Sequence, residues 1–127
     1  MSFWAKVGVK ISDLTMFKNV CRQHGIEYNL NRDERMQWNG YPVHAILRDT
    51  QGGSQGYLVR EGGAYRLALD TDAHYSSITR RLGANGGKLM RDYAVGVVRN
   101  GITQSGGMVT ETVEQNDGSI VLRAASM

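Results

Sequence analysis

The stretch KLMRDYAVGVVRNGITQSGGMVTETVEQNDGSIVLR, Lys88 to Arg123, decides how this chain reads. Its first part has helical spacing. Met90, Tyr93, Ala94, Val97 and Val98 recur at intervals of three and four and share a face, with Arg91, Asp92 and Arg99 elsewhere on the wheel. Gly101, just past the last apolar residue, suits a left-handed helix stop, because glycine has no Cβ to clash there. After Gly106-Gly107 the period drops to two, the period of a strand. Val109 and Val113 are expected beneath the helix, and Glu111 and Glu114 in water. Asp117-Gly118 between two β-rich runs is a hairpin signal, since the turn needs positive φ values that these residues tolerate. The spacing thus predicts a helix laid over a terminal two-stranded ribbon.

Upstream, Trp4 to Ile11 alternates, with Ala5, Val7, Val9 and Ile11 facing one way, as in a half-buried strand. Ser12 or Asp13 then caps a helix whose inner stripe is Leu14, Phe17, Val20, Cys21 and His24, and Gly25 ends it. Lys18, Arg22 and Gln23 fall outside that stripe. Ile26, Tyr28 and Leu30 suggest a second strand, Val43 to Arg48 a third, and Met36 to Tyr41 is ambiguous. Gly56 to Arg60 and Ala64 to Asp70 form a hairpin across Glu61-Gly62-Gly63, with Tyr57 and Val59 expected on the face of Tyr65, Leu67 and Leu69. Thr71 to Leu82 is weakly helical. Strands grouped between helices argue for one α+β domain over residues 1–127, with a mainly antiparallel sheet and two or three helices packed on one face.

Composition narrows the function classes. A hydrophobic share of 41% and a charged share of 21% are globular values, so the chain folds. A net charge of +3 permits a polyanion partner without demanding one. A single cysteine, Cys21, excludes an intrachain disulfide and a cysteine-rich zinc site. No apolar run is long enough to span a membrane, and the N-terminus lacks a signal-peptide core, so a cytoplasmic protein with no membrane partner is expected.

Four groupings could carry chemistry. Arg80, Arg81, Gly86, Gly87, Lys88 and Arg91 gather glycines, cations and a helix start, an arrangement that can bind an anion. The plainer reading is a linker with solvated charges. It is not a nucleoside-triphosphate loop, because Leu82 and Leu89 stand where that motif needs glycine and Ser or Thr. Asp70, Asp72 and His74 offer metal ligands or acid–base groups, or an ordinary turn and cap. Cys21 and His24 lie one helical turn apart on the stripe expected to face the core, which favours packing over catalysis. Trp4, Trp38, Tyr41, Tyr57 and Tyr65, interleaved with Arg48, Arg60 and Arg66, could stack bases or simply pack.

Tyr93-Ala94, Gly101, Val109, Glu111 and the run Asp117 to Arg123, with Ser2-Phe3 and Asp13-Leu14 near the start, carry a family resemblance. The chain resembles the plastid, cyanobacterial and phage open-reading-frame-35 family, a domain of unknown function. It departs from the family pattern at Trp4, where a histidine is usual, and in the Gly83–Gly87 segment. The resemblance implies a compact α+β fold, no established activity and genes often beside AAA-class ATPases. If phage-encoded, the protein would work in the host cytoplasm. The expectation is a non-enzymatic binding or adaptor protein without a cofactor, partnered by an AAA-class ATPase or another protein, or by copies of itself. The alternatives are a binder of a nucleotide or nucleic acid through the Arg80, Arg81, Lys88 and Arg91 region, and a small metal-dependent enzyme.

Overall fold

The computed structural model describes residues 4–116 and 120–126. Its contacts sort into two compact units, Met1–Met90 and Arg91–Met127. The first unit contains β1 (Trp4–Lys6), α1 (Leu14–Gln23), β2 (Ile26–Leu30), β3 (Gln37–Trp38), β4 (Tyr41–Asp49), β5 (Gln55–Glu61), β6 (Ala64–Asp70) and α2 (Ser77–Leu82). A 3-10 turn (Ala84–Gly86) then leads into α3 (Gly87–Gln104), which carries the chain into the second unit with β7 (Gly107–Glu114) and β8 (Ile120–Ser126). The fold is α+β, and every strand pairing is antiparallel.

The sheet order is β1-β6-β5-β4-β2, with β3 paired to the start of β4. α1 forms because Asp13 caps it, its carboxylate accepting the Met16 N–H at 2.9 Å. Phe17, Val20 and Cys21 then point inward, as their spacing requires. α1 and α2 share one face of the sheet. Phe17 meets Tyr28 edge-on at 6.4 Å, and Gly56 lets Leu69 and Ile78 close over it. Ile11, Phe17, Leu47, Leu58, Leu67, Leu69 and Ile78 form the core there.

The opposite face carries a second, smaller core. Val43, Val59 and Ala68 are buried under Met36, Trp38, Tyr41, Ile46 and Tyr57. The ambiguous stretch explains part of that cover. Gln37–Trp38 folds back onto Tyr41–Pro42 through Asn39 and Gly40, both at positive φ, and lays Trp38 on the sheet.

Three local expectations are corrected. The β5–β6 turn uses only Gly62 and Gly63, so Glu61 pairs Ala64, Val59 pairs Arg66 and Tyr57 pairs Ala68. A one-residue slip exchanges the faces. Tyr57 and Val59 therefore oppose Ala68 and Arg66, while Leu58 and Arg60 take the face of Leu67 and Tyr65. The first strand also stops early. Beyond Lys6, Val7 and Ile11 keep backbone-to-backbone hydrogen bonds to β6. Arg66 takes the Gly8 carbonyl at 2.6 Å, and Val9 turns out to solvent.

The third correction falls in the opening stretch. α3 runs through Gly101 to Gln104, and the left-handed residue is Gly106, whose N–H bonds the Thr103 carbonyl. Leu89, Met90 and Tyr93 are buried and Val97 half-buried, but Ala94 is exposed and Val98 is 54% exposed. In the second unit a bulge between Val109 and Glu111 shifts the ribbon register. Arg99 then reaches Thr112 and Arg91 reaches Glu114, both at 2.9 Å, so the intervening Val113 points away and is exposed. Glu111 and Glu114 are exposed as expected, each in an ion pair. The expected Asp117-Gly118 turn lies outside the described residues.

Candidate functional site

α2 is capped by Ser76, whose hydroxyl accepts the Thr79 N–H at 3.1 Å. Arg81, in its last turn, reaches back to the end of β4 and bonds the Asp49 carboxylate at 2.7 Å. Arg80 donates to the Ala73 carbonyl at 3.0 Å and remains exposed. Gly86 is buried at φ +64°, where a Cβ would stand 3.2 Å from Leu69 and 3.4 Å from Leu67. That glycine serves the close approach of backbone to core. Gly87 opens α3 and Lys88 is exposed beside it. Arg91 belongs to the second unit, held by Glu114. Two of the four cations expected at the anion site, Arg81 and Arg91, thus spend their charge on carboxylates of the chain.

Asp49 is the group the sequence did not announce. It is wholly buried, and three donors meet its two oxygens. Ser77 donates its hydroxyl to one carboxylate oxygen at 2.7 Å, and Arg81 and the Gln51 N–H donate to the other. Burial pushes its pKa up, but Arg81, Ser77 and the Gln51 N–H outweigh that and hold it below the ordinary carboxylate value. Ser54 joins the cluster, its hydroxyl 2.8 Å from that of Ser77 and accepting the Ile78 N–H. The cluster ties the β4–β5 tip to the start of α2. Its only sequence signal was an aspartate before Gly52-Gly53, a pattern that also fits any loop.

The Asp70 carboxylate accepts the Asp72 N–H, and Asp72 accepts the His74 N–H, successive turns of backbone geometry. Among the described residues no three of His, Cys, Asp and Glu gather as metal ligands. Cys21 is fully buried, and burial pushes its thiol up to about 12, which keeps it protonated. The aromatic set divides between the two faces. Trp4 stacks on Tyr57 at 5.2 Å on the open face, with Trp38 and Tyr41 nearby, while Tyr65 lies against His44 on the helical face. Lys6 and Arg66 on the open face both hold Glu61. Glu61 is thereby held below its ordinary value, chiefly by the Lys6 hydrogen bond.

One surface sequence reasoning missed is the outer edge of β2. Residues Gly25, Asn29 and Asn31 mark the inward rhythm. Thr50 N–H bonds the Gly25 carbonyl, Asn31 N–H bonds the His44 carbonyl, and Asn29 stands opposite Ile46 between them. By strand alternation, the backbone groups of Ile26, Tyr28 and Leu30 face outward. The sheet ends there among the described residues. A groove of about 750 Å³ runs along this edge beneath α1, lined by Lys18, Arg22, Tyr28, Leu30, Arg32 and Thr50. Lys18 Nζ sits 5.0 Å from the centre of the Tyr28 ring. Lys18, Arg22 and Arg32 have no carboxylate partner among the described residues, unlike Lys6, Arg48, Arg66, Arg81, Arg91 and Arg123. The available signal was Lys18 and Arg22 one turn apart on the wet side of α1, followed by Arg32 just past a strand.

In comparisons with known proteins, no family model matches the chain, and no curated protein or solved structure matches it at a significant level. Among the described residues no helix is long and apolar enough to cross a membrane.

Proposed function

We propose that this chain is a non-enzymatic adaptor that holds another polypeptide against the free edge of its main sheet. The observation that carries the reading is β2 itself. It is five residues long, regular, without proline or bulge, and open along a groove. Proteins usually blunt such an edge, because its unpaired N–H and C=O groups invite another strand. The far edge of the same sheet is blunted in that way. β1 is three residues long, and the chain beyond it is interrupted at Gly8. The resemblance to the open-reading-frame-35 family supplies the candidate partner, an AAA-class ATPase.

The alternative, a phosphate-bearing ligand at the glycine–cation loop, would rest on Arg80 and Lys88, since Arg81 and Arg91 are engaged. The edge is therefore the stronger basis. Affinity capture from the native lysate tests it, with the wild-type chain and a Leu30→Pro variant compared side by side. The adaptor reading expects an ATPase retained by the first and lost from the second, because proline at Leu30 removes an outward N–H. Identical captures from both baits would sink it.

A further inference from the structure

We infer that the occupant of the β2 edge is an extended acidic segment, added as a strand with carboxylates at every second position. This deepens the adaptor reading and rests on it. The cations follow one another along the edge. Arg22 lies near the Gly25 end, Lys18 stands over Tyr28, and Arg32 follows Leu30. Lys18 and Arg22 are one turn apart on α1, a rise of about 6 Å. Alternate side chains of an added strand repeat at about 6.8 Å. Carboxylates two residues apart on such a strand therefore match the two helix cations in spacing, and Arg32 adds a third cation to the lining of the same groove.

Glu27, the acidic side chain in the lining of the groove among the described residues, already holds Arg48 at 3.5 Å. The three cations are thus left for the incoming segment. A second copy of this chain is disfavoured at the same edge, since it would bring a second set of the same cations to the first. Leu30, 55% exposed, offers apolar area to the side chains of the added strand.

Selection of a displayed library of random nine-residue peptides on the full chain tests this. The expected result is enrichment of Asp and Glu at alternate positions. Selected peptides should lose at least about tenfold in affinity against a Lys18→Glu, Arg22→Glu variant. Peptides with lysine in place of the selected acids should bind that variant instead. Binding should disappear with Leu30→Pro, and also when the peptide is N-methylated on alternate residues, a probe that leaves the protein unchanged. Peptides that need the edge but show no acidic preference overturn the acidic occupant and leave strand addition standing. Self-association abolished by Leu30→Pro does the same, in favour of a second copy. Peptides indifferent to both edge blocks, or no selected peptide at all, overturn the acidic occupant and the edge together.

Discussion

Asp49 shows what a single side chain can hold together. Its carboxylate is buried and accepts from Arg81, Ser77 and the Gln51 N–H, so that β4, the loop after it and α2 meet at one group. Asp49→Asn keeps the shape and removes the charge. It should cost about 2 kcal/mol in urea denaturation, because the pair is buried on one side only and Arg81 keeps some access to water. The sign with pH follows from the lowered pKa. The stabilisation is complete above the ordinary value of 3.8 and fades as pH falls through the lower folded value, so only the wild type should lose it on acidification. Gly52, beside it, has a steric role. A Cβ there would stand 2.1 Å from the Ser77 Cβ, which cannot move without breaking the cluster. Gly52→Ala should cost about 2 kcal/mol or more, read as a lowered midpoint at unchanged slope.

At the scale of elements, α3 and the β5–β6 hairpin separate local signals from those set by neighbours. Gly101 looked like a helix stop, yet α3 continues past it, and a Cβ at Gly101 would meet nothing within 4 Å. Gly101→Ala should therefore stabilise the protein by roughly 0.5–1 kcal/mol, as alanine does in an exposed helix. A true left-handed stop would be destabilised by the same change, so thermal denaturation decides between the two. Gly106 holds that stop, and its signal was hidden by the glycine pair it belongs to. In the hairpin, Gly62 and Gly63 both take positive φ, the requirement of a two-residue turn. Glycine-Glycine was legible as a turn. Whether Glu61 belonged to it was not, and that one residue decides which side chains face the helices.

For the molecule as a whole, His44 links stability to pH near neutrality. It lies between Tyr28 and Tyr65 on the helical face of the sheet, and burial first, then Arg60 and Lys18, lower its pKa from 6.5. The folded state thus binds its proton less readily than the unfolded chain does. Stability should fall as pH drops below 6.5 and level off below the folded value, with no effect above 6.5. His44→Gln should flatten that part of the urea-stability profile. The α+β class, a first helix capped at Ser12 or Asp13, its Phe17–Val20–Cys21 stripe and the terminal helix-and-ribbon order were legible in the sequence by itself, and the structure chose Asp13 as the cap. Each rests on periodicity or capping among near neighbours. Tertiary structure alone decided that Arg81 answers Asp49, that Val113 faces out while Thr112 meets Arg99, and that, among the described residues, β2 ends the sheet beside three cations with no carboxylate partner. Those outcomes depend on strand order, register and bulges, which are set by residues distant in the chain and leave no local trace.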